Sequence, residues 1–108
     1  MSGDIRELDW KLFRQLRLVA LDRFCESVLR EITSVASDAT KSSHERYLEI
    51  YKLVRERDRT LADAFKDVRR STAFLRLSLI HSHSLLTEEE IARFSPEARD
   101  AFTWPDRI

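Results

Sequence analysis

The chain contains no glycine and no proline between Asp4 and Ser95. These two residue types interrupt helices most strongly, because glycine is costly to order and proline lacks the amide N–H. A stretch of this length without either favours long helices. The chain has 108 residues, enough for one domain, and 43% of them are hydrophobic. We therefore predict a single all-α domain over residues 1–108.

A regular row of apolar residues runs through the second half of the chain. Its positions step alternately by four and three residues from Tyr47 to Leu79. This spacing is typical of a helix packed lengthwise on another helix. The predicted helix-packing seam consists of Tyr47, Tyr51, Val54, Leu61, Phe65, Val68, Leu75 and Leu79.

Short polar segments suggest where the helices begin and end. Asp4 can cap a first helix, and small polar residues after Ala36 favour a turn. Thr87 and Glu90 have capping-box spacing, and Ser95 precedes a proline suited to a first helical position. The predicted elements are helix 1 over about 4–36, a turn over 37–42, helix 2 over about 43–84, and short helices over about 88–94 and 96–102.

Six successive polar residues, from Arg55 to Thr60, interrupt the apolar row, and Asp58 lies on the seam itself. One interpretation is a polar layer of Arg55, Asp58 and Arg59 that fixes the register of helix pairing. The other is a break in the chain at 58–60. The row keeps its phase across Asp58, which favours a continuous helix.

A long antiparallel hairpin cannot cover all of its apolar side chains by itself. Leaving a large apolar side chain in water forfeits about 1.5–3 kcal/mol. We therefore expect a homodimer in which two hairpins form a four-helix bundle. A chain that bends at 58–60 and packs on itself is the alternative.

Aromatic residues gather at the free end of the predicted rod. An antiparallel fold about a turn near residue 40 brings residue 10 beside residue 70, and the chain after His83 returns to the same end. These aromatic side chains form either a buried lid or a surface for a partner. The candidate partner surface is Trp10, Phe13, Phe94, Phe102 and Trp104.

No catalytic, cofactor-binding or metal-binding signature is present in the sequence. His81 and His83 would point about 200° apart on a helix and could not share a metal ion. Cys25 belongs to an apolar stripe, where cysteine usually acts as a small hydrophobic residue. We expect no cofactor, no metal and no enzymatic activity.

The charge balance also limits the classes of partner. Nineteen basic and nineteen acidic residues give no general attraction to nucleic acid or to an anionic membrane. No segment has the apolar length of a membrane span, and we expect no signal peptide. A single cysteine excludes an internal disulfide. These features favour a cytoplasmic protein.

The sequence favours a non-enzymatic protein–protein interaction module, an adaptor or regulatory subunit built on a helical bundle. The alternative is a bundle with a small-molecule or substrate site near Asp58, with or without catalysis. A weaker alternative is a nucleic-acid-associated protein.

Overall fold

The computed structural model describes residues 5–103, which form α-helices and turns without β-strands. The predicted all-α fold class is confirmed. Helix α1 spans Glu7–Ala36 and has no side-chain cap at its N-terminus. Asp4, the predicted cap, lies outside the described residues. Glu7 instead accepts a hydrogen bond from Arg70 at 2.7 Å, which ties the start of α1 to a distant part of the chain.

Helix α2 spans Ser43–Phe65 and runs antiparallel to α1 after a turn over residues 37–42. A capping box begins it: the Ser42 hydroxyl accepts from the Glu45 N–H at 3.1 Å, and the Glu45 carboxylate accepts from the Ser42 N–H at 2.9 Å. Arg46 donates a hydrogen bond to the Ala36 carbonyl at 2.6 Å. The end of α1 and the start of α2 are therefore joined at the tip of the hairpin.

Helix α2 ends at Phe65, so the prediction of one helix continuing to about residue 84 is wrong. The break expected as an alternative at 58–60 is also absent, because α2 runs through those residues. Asp67 adopts a positive φ of 57°, a conformation that asparagine and aspartate tolerate better than most residues.

Two arginines stabilise this end of α2. Arg17 of α1 donates to the Phe65 carbonyl at 2.5 Å, and Arg76 donates to the Asp63 carbonyl at 2.6 Å. The last carbonyls of a helix have no partner within it. The arginines supply that partner from elements that are distant in sequence, which explains how the chain can leave the helix without a glycine.

The rest of the chain folds back on the first half of α1. A 3₁₀ turn covers Arg70–Thr72, and α3 spans Ala73–Ser82, α4 Glu88–Ala92 and α5 Pro96–Thr103. The predicted capping box at Thr87 is confirmed, since its hydroxyl accepts from the Glu90 N–H at 3.1 Å. The buried core at this end includes Phe13, Leu16, Phe65, Leu77, Ile80, Phe94 and Phe102.

The predicted seam is not the packed face of α2 within this chain. The side of α2 that faces α1 carries Ile50, Leu53 and Arg57, which are half-buried. Tyr47 and Tyr51 remain 66% and 56% exposed. The packed side lies one position earlier along the helix, and Arg57 on that side reaches across to Glu31.

The C-terminal part of the seam is divided by the break after Phe65. Phe65 is buried, and Leu61 and Leu79 pack against the core. Val68 lies in the connection, and Leu75 is 56% exposed on α3. The four-and-three spacing beyond Phe65 therefore does not correspond to a continuous helical face.

The described residues form an elongated body of 56 × 27 × 25 Å, and its length matches a rod built around α1. None of the described helices is long and apolar enough to cross a membrane.

Candidate functional site

The hairpin extends beyond the buried core as a two-helix arm. We define the arm as residues 25–63, which comprise the second part of α1, the turn over residues 37–42 and α2 as far as Asp63, and the head as the remaining described residues. Every side chain of the arm is partly or fully exposed, whereas the buried side chains all belong to the head. The arm therefore projects from the buried core, with Cys25, Val28 and Leu61 packed against the edge of that core.

A forked ion pair fixes the two helices of the arm face to face. Arg57 Nη2 lies 2.7 Å from Glu31 Oε2, and Arg57 Nε lies 3.2 Å from Glu31 Oε1. This hydrogen bonding lowers the pKa of the Glu31 carboxyl below its ordinary value. The bidentate geometry restrains both the separation and the rotation of the helices.

The tip of the arm is equally well ordered. The Asp38 carboxylate accepts hydrogen bonds from the Thr40 N–H at 3.0 Å and from the Thr40 hydroxyl at 2.6 Å. Lys41 pairs with Glu49 at 2.7 Å. Together with the capping box of α2, these bonds occupy polar groups of the turn and present the two helices in one defined arrangement.

One side of the arm is apolar. On a helical wheel, Tyr47, Tyr51 and Val54 lie about 60–120° from the side of α2 that faces α1. Three apolar residues of α1 are rotated in the same sense from its contact with α2, which in an antiparallel pair places them on the same side. We call this side the open face; it consists of Cys25, Leu29, Ile32, Tyr47, Tyr51 and Val54.

The open face is only partly covered in this chain. Leu29 is 61% exposed and Val54 is 43% exposed, while Cys25 and Ile32 are half-buried. Arg55 lies at its margin, with its guanidinium carbon 5.7 Å from the centre of the Tyr51 ring. The open face thus combines aromatic and aliphatic surface with a charged edge.

The opposite side of the arm is polar. A shallow groove of about 400 Å³ on this side is lined by Glu31, Ser34, Glu49, Lys52 and Glu56, together with the apolar Val35 and Leu53. The two sides of the hairpin therefore differ in the residues that they expose. This asymmetry distinguishes a surface suited to another apolar surface from one suited to water.

The predicted polar layer of Arg55, Asp58 and Arg59 does not close within this chain. All three residues are exposed, and Asp58 makes no ion pair with any residue in the range 5–103. The polar residue that does lie between the helices is Arg57, one position earlier. Within this chain the row of Tyr47, Tyr51 and Asp58 does not face α1, and the polar layer stays a prediction for contacts outside the chain.

Near the level of Asp58, residues 5–103 form a shallow surface depression on one helix. The nearest depression, of about 600 Å³, is lined only by residues of α2, including Tyr51, Arg55 and Arg59. A depression on the surface of a single helix is not the concave site between helices that the small-molecule alternative requires.

The residues considered for metal binding or catalysis lie apart from one another. His81 packs with its ring 5.9 Å from the Phe102 ring, His83 is exposed, and Cys25 belongs to the arm. Among residues 5–103, no group of three or more histidine, cysteine, aspartate or glutamate side chains could hold a metal ion.

The predicted partner surface at the free end is mostly buried. Phe13, Phe94 and Phe102 are at most 2% exposed, and the rings of Phe94 and Phe102 meet edge to face at 5.1 Å. Trp10 is half-buried, and the guanidinium carbon of Arg70 lies 5.9 Å from the centre of its ring, which confirms the expected proximity of residues 10 and 70. Trp104 lies outside the described residues. Phe13, Phe94 and Phe102 therefore belong to the core of the head.

Two neighbouring arginines that follow α2 are paired with acidic residues. Arg69 pairs with Asp67 at 2.6 Å, and Arg70 pairs with Glu7 at 2.7 Å. Such pairing reduces the positive field that nucleic-acid binding requires.

Comparisons of the chain with family models, with curated proteins and with solved structures find no match.

Proposed function

We propose that this protein is a non-enzymatic protein–protein interaction module, an adaptor or regulatory subunit, and that its working surface is the open face of the arm. The observation that carries this proposal is the exposure of Tyr47, Tyr51, Val54 and Leu29 on the arm, which has no fully buried side chain. The proposal includes self-association into a dimeric four-helix bundle.

The energetics of burial support this choice of surface. Covering a large apolar side chain stabilises a complex by about 1.5–3 kcal/mol before the costs of association are subtracted. Tyrosine is enriched in interfaces because its ring provides apolar area and its hydroxyl can form a hydrogen bond. Tyr47 and Tyr51 are one helical turn apart, so one partner can cover both rings.

The order of the arm supports the same conclusion. The Arg57–Glu31 fork and the Ser42–Glu45 capping box hold the open face in place before any partner arrives. A surface that is already ordered loses less conformational entropy when it binds. The arm is therefore suited to presenting a fixed pattern of side chains.

Site-specific photo-crosslinking tests the proposal. A photoreactive phenylalanine analogue replaces Tyr47 in one protein and Lys52, on the polar side of the same helix, in the matched control. After irradiation in cells that produce the protein naturally, we expect adducts with protein at position 47 and none at position 52. The proposal fails if position 47 gives no protein adduct, or if both positions give the same adducts.

A further inference from the structure

We infer that the open face binds the open face of a second copy of this chain, with the two α2 helices antiparallel and a two-fold axis passing between Lys52 and Leu53. This inference rests on the proposed function and names the partner. Two observations identify that partner: the spacing of the residues along the face and the position of the unpaired Asp58.

The spacing of the face is the same when it is read in reverse. Tyr47, Tyr51, Val54 and Asp58 are separated by four, three and four residues. An antiparallel copy therefore places Tyr51 opposite Val54 and Tyr47 opposite Asp58, and each contact occurs twice. A large ring meets a small branched side chain at the centre, which allows close packing without a cavity.

Formation of the dimer would bury the Asp58 carboxylate, and Tyr47 of the second copy supplies a hydrogen-bond donor for it. A tyrosine hydroxyl can donate a hydrogen bond to a carboxylate. A parallel dimer in register would instead bring two Asp58 carboxylates together, which is unfavourable. Stacking α2 on α1 of the second copy would place Asp58 beside the apolar Leu29, where no donor is available.

The length of the arm matches this register. Ser43, the first residue of α2, comes to lie opposite Ala62 of the second copy, and the buried part of α2 begins at Ala64. The two α2 helices therefore overlap along their whole exposed length, and the turn of each arm reaches the level of residues 63–68 of the other copy. The heads lie at opposite ends of the dimer, so they do not compete for space.

The remaining surface is compatible with two copies. The chain has no net charge, so two copies do not repel each other overall. Leu48, which is 48% exposed, lies near Arg55 of the second copy, whose aliphatic stem can cover it. Cys25, Leu29 and Ile32 of both α1 helices complete a four-helix bundle on the same side.

Disulfide trapping tests the register directly. In a Cys25→Ser background, one protein carries Tyr47→Cys and another carries Asp58→Cys. We expect rapid disulfide formation when the two proteins are mixed and oxidised, and little from either protein alone. Disulfide-linked dimers of each protein alone would indicate a parallel pairing and would overturn the inference.

A hydrogen-bond test complements the trapping. Tyr47→Phe leaves Asp58 without its donor, and we expect the dimer dissociation constant in sedimentation to rise by about tenfold. The double variant Tyr47→Phe with Asp58→Leu should recover that loss, while Lys52→Ala should leave the dissociation constant unchanged. Equal affinities for the wild type and Tyr47→Phe would contradict the pairing.

The outcomes separate this inference from the proposed function. If the wild type stays monomeric at high micromolar concentration while position 47 still crosslinks to other proteins, the second copy is the wrong partner. The self-association part of the proposed function then fails together with this inference, and the interaction module remains. If position 47 crosslinks to nothing, the proposed function itself fails.

Discussion

The Asp9 carboxylate on α1 accepts two hydrogen bonds from Ser95, one from its backbone N–H at 3.0 Å and one from its hydroxyl at 2.6 Å. The same hydroxyl accepts from the Ala98 N–H at 3.2 Å. Asp9 is 6% exposed. One buried carboxylate thus holds the start of α5 on α1.

Replacing Asp9 with asparagine should destabilise the head. The amide can reproduce one of the two acceptor positions but carries no charge, so we expect a loss of about 1–3 kcal/mol in the free energy of unfolding. Urea denaturation monitored by circular dichroism measures it. Asp22→Asn, an exposed aspartate on the same helix, is the control and should differ from the wild type by less than about 0.5 kcal/mol. Similar losses in both variants would show that the contact with Ser95 is not important.

Acid should weaken the link between Arg23 and Glu90. Arg23 Nη1 lies 2.6 Å from Glu90 Oε1, and this hydrogen bond lowers the pKa of Glu90 from 4.5 to about 2. Since the carboxylate pKa is lower in the folded protein, its stabilisation is complete above pH 4.5 and disappears as the pH falls towards 2. We expect the contribution to be on the order of 2 kcal/mol, because the exposed part of Arg23 is screened by solvent.

The variant Glu90→Gln isolates this effect. Glutamine can still accept the Thr87 N–H of the capping box, but it cannot form the ion pair. Unfolding free energies from pH 7 to pH 2 should therefore fall less steeply for Glu90→Gln than for the wild type. The neighbouring control Glu89→Gln should follow the wild-type curve. A wild-type curve that matches Glu90→Gln would contradict the predicted role.

Introducing a charge at two different leucines of α3 should have very different effects on stability. Leu77 is 1% exposed and Leu75 is 56% exposed. Leu77→Asp buries a charge without a partner and should unfold the head, whereas Leu75→Asp should change stability by less than about 0.5 kcal/mol. Thermal melts of the two variants distinguish these outcomes. Unfolding of Leu75→Asp would support the continuous seam that the sequence suggested.

Hydrogen exchange should separate the arm from the head. The double variant Tyr51→Glu with Val54→Glu places charges on the open face and should prevent self-association. In this variant, the amides of residues 47–54 should exchange roughly tenfold or more faster than those of residues 13–20, which lie against the core. In the concentrated wild type, burial of the open face should slow exchange in residues 47–54. Exchange in the arm that does not depend on concentration would argue against self-association.

Local features of the fold could be read from the sequence because their causes lie within one helical turn. The capping boxes of Ser42 with Glu45 and Thr87 with Glu90 each join residues three positions apart. The spacing alone therefore indicates where α2 and α4 begin. The polar residues after Ala36 similarly suggested a turn.

The end of α2 could not be predicted in this way. The row of apolar residues continues in phase past Phe65, so periodicity predicted a continuous helix. The break depends on Arg17 and Arg76, which donate to carbonyls at the end of α2 from other elements. Sequence spacing carries no information about such donors. The burial of Phe94 and Phe102 follows from the same folding back of the chain.

The sequence by itself determined that the chain is helical, since it lacks glycine and proline over most of its length and carries capping residues at fixed local spacing. The tertiary structure decided which side of each helix is covered. On α2, the row of Tyr47, Tyr51 and Val54 and the row of Ile50, Leu53 and Arg57 both have helical spacing. The second row faces α1, with Ile50 and Leu53 half-buried and Arg57 paired with Glu31, and the first row is exposed. The physical reason is that periodicity describes one helix, whereas burial depends on the helix beside it.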